Sequence, residues 1–263
     1  MTGSLFFMQA NFNISGFLKD IILPPVCVLC GRLSRSPLCD MCNNRISFLG
    51  SNVCTRCGKP FGDMQPVTGK NFCAFDKNIT SVNICNLCEI EEYHFYAARS
   101  FSLYKDTMAE LISLFKYKKY YYLKEILAGF LKQAYQAYYK NEKIDYIDTV
   151  PDYNVTDKST GDYHELNHMQ VLAQSFSQKI KIQFADNILK IKKTQRQQLL
   201  GREQRITNLE GAFKVRDCLK AAGKNILLID DVFTTGSTLN EISVTLKNAG
   251  TERIYLLTLA RGA

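Results

Sequence analysis

An acidic pair follows a short apolar run in the last part of the sequence. Residues 226–229 (ILLI) are typical of a buried strand, and Asp230 and Asp231 come directly after them. In open α/β folds the carboxyl ends of the strands form the ligand-binding edge of the sheet, so both carboxylates are expected at that edge. Adjacent carboxylates in such a place are suited to accepting hydrogen bonds from the hydroxyl groups of a ribose.

Five small or hydroxyl-bearing residues, here called the threonine loop, follow Phe233 and precede a predicted helix. Backbone N–H groups at such a turn, together with the N-terminus of the helix, form a nest that binds a phosphate. With the acidic pair one sugar length away, the pattern predicts a receptor for ribose 5-phosphate. The loop comprises Thr234, Thr235, Gly236, Ser237 and Thr238.

Three other kinds of site share parts of this pattern. A Walker B strand also ends in acidic residues, but it accompanies a GxxxxGK[ST] loop, which this sequence lacks. A phospho-receiver site requires further α/β units downstream, which are lacking as well. The third alternative, in which the threonine loop only caps a helix, stays open.

The cysteines form a second chemical pattern. Nine of the ten lie between Cys27 and Cys88, and eight of these form four CxxC pairs, two of them followed at once by Gly31 and Gly58, where a tight turn favours positive φ. Two such pairs complete a closed site of four thiolates, so eight cysteines predict two structural zinc ions. The simplest arrangement joins the first two pairs and the last two, although an interleaved arrangement stays open, and Cys73 is a spare thiol or a substitute ligand. The predicted zinc ligands are Cys27, Cys30, Cys39, Cys42, Cys54, Cys57, Cys85 and Cys88.

Composition places the chain among globular proteins and excludes disordered, collagen-like and coiled-coil chains, since 46% of its 263 residues are hydrophobic and 22% are charged. No signal peptide precedes the cysteines, and no apolar run approaches the roughly 20 residues that span a bilayer. We therefore expect a cytoplasmic protein without membrane insertion, whose tandem cysteine pairs bind metal rather than form disulfides or a redox pair. The net charge, 33 − 25 = +8, suits an anionic partner such as phosphate or nucleic acid.

The chain divides into a cysteine-rich domain, residues 1–95, and an α/β domain, residues 96–263. In the second domain, apolar residues at helical spacing alternate with strand-like apolar runs, and the last predicted helix ends at Gly250. Strands that are apolar on both faces predict a parallel sheet covered by helices on both sides. The predicted strands include residues 99–104, 144–150, 226–229 and 254–259, and the predicted helices are centred on residues 108–115, 123–131, 171–176 and 239–246.

These motifs resemble a known family. Residues 230–238 (DDVFTTGST) are similar to the phosphoribosyl-pyrophosphate (PRPP) signature of type I phosphoribosyltransferases, and the cysteine pairs narrow the resemblance to the competence-associated ComF family, also called GntX-like. The resemblance implies an α/β fold, with a type I phosphoribosyltransferase-like parallel sheet flanked by helices and an N-terminal zinc-ribbon domain. A second stretch matches the family pattern T-xx-Q-xx-L…R-xx-N…F through Thr194, Gln197, Leu200, Arg205, Asn208 and Phe213.

The resemblance also implies a reaction and roles for residues. A nitrogen acceptor would attack the anomeric carbon of PRPP and expel pyrophosphate, and Mg²⁺ would neutralise the leaving group. Asp230 and Asp231 would hold the ribose and the threonine loop the 5′-phosphate, while residues 194–213 would cover the site and bring Arg205 to the pyrophosphate. Where the family has Arg-Gly-Phe/Tyr-Asn, this chain has residues 164–167 (HELN), so the arginine that would clamp a phosphate is absent.

Two functions are consistent with these features. The first is an enzyme, or at least a domain that binds PRPP or a nucleotide monophosphate, with zinc ribbons attached. The second, implied by the resemblance, is a non-catalytic zinc-ribbon adaptor that binds single-stranded DNA or a helicase partner during DNA uptake. Residues 116–124 (KYKKYYYLK) interleave bases with aromatics as single-strand binders do, but at helical spacing we expect half-buried tyrosines and solvated lysines. His94, His164 and His168 lack ligand spacing and receive no role.

Overall fold

The computed structural model describes residues 26–50, 52–61, 83–151, 167–194 and 208–262, and the structural statements below concern these residues. Contacts divide the chain into two compact units, one ending at Asn43 and one beginning at Asn44. The first unit contains the first two CxxC pairs, and the second contains the other two together with the α/β segment. The domain boundary predicted at residue 95 remains a prediction.

The first unit is built from two turns around its cysteines. In the first turn the N–H of Gly31 donates to the carbonyl of Cys27 at 2.9 Å, and Gly31 has a φ of +69°. The second turn leads into the short helix α1 (Asp40–Asn43). The equivalent glycine of the third pair, Gly58, has a φ of +70°. The predicted need for positive φ after these two pairs is confirmed.

The second unit is built around a four-stranded parallel sheet, in which the neighbouring strands are in order β1 (Ala97–Leu103), β6 (Arg253–Arg261), β5 (Asn225–Phe233) and β2 (Tyr146–Thr149). Both β5 and β6 are nearly continuous apolar runs because both faces of the sheet are covered. A separate antiparallel ribbon joins β3 to β4, and periodicity could not predict it because each strand has only three residues. In chain order the strands are β1 (Ala97–Leu103), β2 (Tyr146–Thr149), β3 (Ile188–Lys190), β4 (Phe213–Val215), β5 (Asn225–Phe233) and β6 (Arg253–Arg261).

Helices flank this sheet, as the apolar periodicity predicted. Helix α4 (Lys124–Tyr138) packs against α5 (His168–Ile180) and against β1 and β6, α5 packs on β2, and α7 (Ser237–Asn248) packs on β4. Gly250, two residues beyond the end of α7, has a φ of +84°, which confirms the predicted glycine stop. After α1 the helices are α2 (Asn86–Ile90), α3 (Asp106–Tyr117), α4 (Lys124–Tyr138), α5 (His168–Ile180), α6 (Cys218–Ala221) and α7 (Ser237–Asn248), with a 3-10 turn at Tyr121–Leu123.

One buried cluster joins the sheet to the second cysteine set. It contains Ile226 and Leu228 of β5, Ile242 of α7, and the thiols of Cys54 and Cys57. The second cysteine set therefore belongs to the hydrophobic core of the α/β unit. Among the described helices, none has the combined length and apolarity that crossing a membrane requires.

Candidate functional site

The acidic pair lies near the carboxyl edge of the parallel sheet. Strand β5 continues to Phe233, so Asp230 and Asp231 lie among its last four residues, just before the threonine loop. Asp230 is half-buried, whereas Asp231 is only 5% exposed. A carboxylate buried this deeply needs partners, because moving a charge out of water is costly unless it is paired.

Two helices supply partners for Asp231. Lys116, near the end of α3, donates a hydrogen bond from Nζ to Oδ2 of Asp231 at 2.5 Å. His168, the first residue of α5, places its Nε2 3.6 Å from the same oxygen. The side chain of Lys116 is 34% exposed and that of His168 is 13% exposed. The acidic end of β5 is thus a charged cluster open to solvent on the lysine side.

The electrostatics of the cluster keep its acid ionised. Burial raises the pKa of Asp231, but the nearby His168 imidazole and the Lys116 ammonium outweigh burial and bring the pKa to about 2. Burial lowers the pKa of Lys116, but the Asp231 carboxylate outweighs that effect and raises it above its ordinary value. Both members of the pair are charged at neutral pH.

Sequence reasoning missed Lys116 as a site residue. Helix α3 ends at Tyr117, so the tyrosines that follow are not presented at helical spacing. Tyr117, Tyr120 and Tyr122 are 62%, 40% and 54% exposed, and Lys116 is paired with Asp231. The expectation of half-buried tyrosines and solvated lysines is therefore wrong for these four residues.

His168 was missed as well, although the sequence carries a signal for its position. Asn167 and Gln170 form a capping box, in which Asn167 Oδ1 accepts from the N–H of Gln170 at 2.7 Å and Gln170 Oε1 accepts from the N–H of Asn167 at 3.1 Å. This box fixes the start of α5 and sets His168 at its first helical position. The Nε2 atom of His168 is buried and has no hydrogen-bond partner within the described part of the chain.

The threonine loop joins β5 to α7 through a glycine in the left-handed region. Gly236 has a φ of +77° and is the N-cap of α7, so the first N–H groups of this helix donate no hydrogen bond to an N-cap side chain. A Cβ at this position would lie 2.5 Å from Cζ of Phe233, so a side chain is excluded by contact as well as by conformation. The hydroxyls of Thr235 and Ser237 are 2.9 Å apart. A helix start without a side chain at its N-cap, bordered by hydroxyls, is suited to an anion.

A cavity of about 210 Å³ adjoins the loop. Its walls include Thr234 and Thr235 from the loop, Arg261 from the end of β6 and Lys59 from the turn that follows Cys57. The lysine and the threonine hydroxyls provide hydrogen-bond donors for a phosphate, and the buried Arg261 guanidinium adds positive charge to the wall.

The two cysteine sets have the geometry of four-thiolate metal sites. Within each set all Sγ atoms lie within 4.8 Å of one another, and the distances Cys30–Cys39, Cys54–Cys88 and Cys57–Cys85 between Sγ atoms are 3.6 to 3.7 Å. A zinc–sulfur bond of about 2.3 Å gives a tetrahedral sulfur–sulfur edge of about 3.8 Å, whereas a disulfide requires about 2.05 Å. The thiols therefore fit zinc, and the sets are the sequential ones: Cys27, Cys30, Cys39 and Cys42, then Cys54, Cys57, Cys85 and Cys88.

Backbone groups favour the thiolate form of one cysteine in each set. Burial raises the pKa of the Cys27 and Cys54 thiols, but hydrogen bonds from backbone N–H groups outweigh burial and bring these pKa values to about 6 and about 7. The donors come from both CxxC turns of the set, so the turns are arranged around negatively charged sulfur. Thiolates are the form that binds metal.

Some predicted residues lie outside the described part of the chain. Arg205, the candidate for the pyrophosphate, lies there, together with Cys73, His164 and residues 195–207 of the predicted cover segment. The roles assigned to them remain predictions.

Two family models match separate parts of the chain. A model described as a double zinc ribbon domain matches residues 18–89. A model described as a phosphoribosyl transferase domain matches residues 170–263, which include β5, the threonine loop and α7. The cysteine sets and the sheet edge described above therefore lie within these two matches.

Two curated proteins and two solved structures are similar to the chain. Competence protein F of Haemophilus influenzae is 28% identical over 233 residues, which cover 85% of this chain and 96% of that protein. The DNA utilization protein YhgH of Escherichia coli is 31% identical over 96 residues, which cover 36% of this chain and 41% of that protein. A glutamine PRPP amidotransferase from B. subtilis complexed with ADP and GMP matches 52% of this chain with a TM-score of 0.35 and 16% identity, and a second structure, titled as the allosteric regulatory enzyme of purine biosynthesis, gives the same values. The chain spans about a quarter of the length of these two structures.

The predicted fold class is confirmed, because the parallel sheet with flanking helices and the cysteine sets agree with the two family models. The two family matches contain the CxxC pairs and residues 230–238, the motifs on which the resemblance was based. The Haemophilus influenzae protein is similar to this chain over nearly its whole length. The resemblance found in the sequence is confirmed at this level: the chain carries a double zinc ribbon domain followed by a phosphoribosyl transferase domain, and it is similar over most of its length to a competence protein.

Proposed function

We propose that the α/β unit binds PRPP together with Mg²⁺, or a ribose 5-phosphate nucleotide, and transfers the phosphoribosyl group to a nitrogen acceptor. The observation that carries the proposal is the presence of an acidic pair and a glycine-capped helix at one edge of a parallel sheet. The match of this segment to the phosphoribosyl transferase model supports it.

The threonine loop binds the 5′-phosphate. The first backbone N–H groups of a helix point along its axis and carry partial positive charge, and α7 begins with such groups directly after Gly236. The hydroxyls of Thr235 and Ser237 add donors, and Lys59 and Arg261 line the adjoining cavity. This end of the site therefore recognises a dianion.

The acidic pair binds the ribose hydroxyls. Asp231 is ionised at neutral pH because its pKa is about 2, and Asp230 beside it is half-buried. The carboxylates accept hydrogen bonds from vicinal hydroxyls, while the Lys116 ammonium and the Nε2 atom of His168 lie against Asp231. A cation at this end favours a ligand with a second phosphate group, such as the pyrophosphate of PRPP.

Carboxylate oxygens are the ligands that Mg²⁺ prefers, so Asp230 and Asp231 are fitting donors for it, directly or through water. When bound with PRPP, Mg²⁺ neutralises the pyrophosphate leaving group. The chain's own residues orient the ribose and anchor its phosphate, and the positive charge on Arg205 is assigned to the pyrophosphate. The acceptor nitrogen then attacks the anomeric carbon as the bond to pyrophosphate breaks.

Calorimetric titration of PRPP with Mg²⁺ into the zinc-loaded protein tests the proposal. Asp230→Asn removes a charged hydrogen-bond acceptor for the ribose, an interaction of about 1.5–3 kcal/mol, so PRPP affinity should fall about 10- to 100-fold. Glu252→Gln is the matched control. Glu252 directly precedes β6, at the amino ends of the parallel strands and away from the acidic pair, so this substitution should leave the affinity unchanged.

A protein that does not bind PRPP at millimolar concentration contradicts the proposal. Equal PRPP affinity of Asp230→Asn and the unmodified chain contradicts it as well, because the ligand would then lie away from the acidic pair. Release of pyrophosphate, measured with a panel of nucleobases and amines, tests the transfer step separately.

We infer a second function from the names of the two relatives, which link them to competence and to DNA utilization. The net charge of +8 would allow the chain to bind single-stranded DNA as an adaptor. Anisotropy of a labelled oligonucleotide should then report affinity that falls steeply between about 50 and 200 mM salt, since counterion release drives such binding. A flat response to salt would leave this function without an electrostatic basis.

A further inference from the structure

A buried arginine connects the second cysteine set to the threonine loop. Arg261, the last residue of β6, is 5% exposed, and its Nη1 donates to the carbonyl of Cys57 at 2.5 Å. Its Nη2 lies 3.6 Å from the Sγ of Cys57. The guanidinium carbon lies 4.7 Å from the centre of the Phe233 ring, within the range of a cation–π contact. The Arg261 side chain thus contacts the predicted zinc ligand Cys57 on one side and Phe233, the residue before the threonine loop, on the other.

Phe233 transmits that contact to the loop backbone. Its ring occupies the space that a side chain at Gly236 would fill, with Cζ 2.5 Å from the ideal Cβ position. Its carbonyl accepts from the N–H of Gly262 at 2.9 Å, which ties the end of β5 to the residue after Arg261. Because the ring packs directly on the N-cap of α7, a shift of Phe233 moves the start of that helix.

A second connection runs from the same cysteine turn to the middle of the loop. Arg56, between Cys54 and Cys57, donates from Nη1 to the carbonyl of Tyr93 at 2.8 Å. The hydroxyl of Tyr93 in turn donates to the carbonyl of Thr235 at 3.3 Å. The cysteine turn therefore supports the loop from two sides.

Charge explains why an arginine fits at this position. Four thiolates around a zinc ion carry two net negative charges, and burial makes such a charge costly without a nearby cation. Arg261 supplies that cation at Cys57. Its flat guanidinium also stacks on an aromatic ring, which the ammonium of a lysine does less well.

We propose that Arg261 is a positioning residue that links the metal-bound Cys57 to Phe233, so that anion binding at the threonine loop depends on metal in the second cysteine set and not in the first. The proposal rests on the proposed function in one respect, namely that the loop binds a phosphate. It adds that the second zinc site is part of the ligand-binding apparatus.

Cobalt spectroscopy tests the link directly. Replacing Cys30 and Cys39 by serine removes the first set, so that Co²⁺ added to this protein reports only the second. Ribose 5-phosphate should then shift the thiolate-to-cobalt absorption bands. Arg261→Met should keep cobalt, lose the shift and bind ribose 5-phosphate at least tenfold more weakly, and Arg261→Lys should recover only part of the affinity.

Arg99→Met is the matched control. Arg99 also donates to the cysteine turn, through its Nη1 and the carbonyl of Thr55 at 2.9 Å, but it stacks on Tyr138, away from the loop. It should leave both the cobalt shift and the ribose 5-phosphate affinity unchanged. Equal affinity of Arg261→Met and the unmodified chain, with cobalt held by both, would overturn the inference and leave the proposed function intact.

A second test uses the chain with Arg261 unchanged, so that it does not depend on whether the Arg261 variants fold. By linkage, ribose 5-phosphate must raise the affinity of the second set for metal, measured at equilibrium by competition with a chelator, if metal and phosphate favour each other. An equal metal affinity with and without ribose 5-phosphate, under conditions where the ligand is bound, would overturn the inference. Absence of ribose 5-phosphate binding to the fully metal-loaded, unmodified chain would overturn both the inference and the proposed function.

Discussion

Replacing Lys116 by methionine removes the cation that faces a buried carboxylate. Asp231 is 5% exposed and accepts a hydrogen bond from Lys116 Nζ at 2.5 Å. Without the ammonium, less positive charge offsets the effect of burial on the Asp231 carboxylate, so its pKa rises from about 2. We therefore expect Lys116→Met to be less stable at pH 7 and its Asp231 to titrate at higher pH.

The expected loss of stability follows from the distance and the burial of the pair. Two unit charges at this distance attract by about 7 kcal/mol at an effective dielectric constant of about 20, and by about 2 kcal/mol in bulk water. Desolvation offsets much of this, and breaking a fully buried pair costs about 3–5 kcal/mol. Since 34% of the Lys116 side chain is exposed, water screens the charge left behind, and the expected loss is about 2 kcal/mol.

Urea unfolding at pH 7 measures this loss, and a double-mutant cycle with Asp231→Asn isolates the pair. The double variant should recover much of the stability that Lys116→Met loses, because no unpaired charge remains. Lys118→Met is the matched control, since Lys118 is exposed two residues further on and should change stability by less than about 0.5 kcal/mol. The titration of the Asp231 carboxyl carbon, followed by NMR, reports the pKa itself.

A coupling energy below about 0.5 kcal/mol would refute the reasoning, because that is the contribution of an exposed ion pair. So would an unchanged pKa of Asp231 in Lys116→Met. Either result would mean that water, or the His168 imidazole alone, stabilises the carboxylate.

Two further predictions concern the loop and a second buried acid. Gly236→Ala should lower the free energy of unfolding by about 2–4 kcal/mol, because alanine is strained at a φ of +77° and its Cβ would overlap the ring of Phe233. The control is Gly129→Ala, in helix α4 with no atom within 4 Å of the added Cβ, which should be neutral or stabilising in urea unfolding. Equal effects of the two substitutions would contradict the argument. Burial raises the pKa of Asp148 from 3.8 to about 7, so the folded state holds a proton that the unfolded state releases, and stability should fall as pH rises from about 4 to about 7. Asp148→Asn should remove that slope from the pH dependence of unfolding, and identical slopes in both proteins would show that Asp148 is not its source.

Local spacing was enough to predict the chemical centres of this protein. The CxxC pairs predicted two closed four-thiolate sets because two cysteines three positions apart on a tight turn point their sulfurs at one centre, whatever the rest of the chain does. An apolar strand followed by Asp230 and Asp231, then by a glycine and a helix, predicted an acidic sheet edge next to a helix N-terminus for a similar reason. The parallel sheet itself followed from strands that are apolar on both faces.

The partners of these centres depend on tertiary packing. Lys116 and His168 reach Asp231 from helices that lie far from β5 in the sequence, and the pattern of residues around them indicated only a solvated helix end and an unassigned histidine. Arg261 looks like an ordinary residue at the end of an apolar strand, and its contact with Cys57 spans more than 200 positions. Local turns and apolar faces can be predicted from the sequence because they depend on neighbouring residues. Which distant charges meet becomes visible only in the folded chain, because the burial and pairing of a charge are properties of the packed molecule.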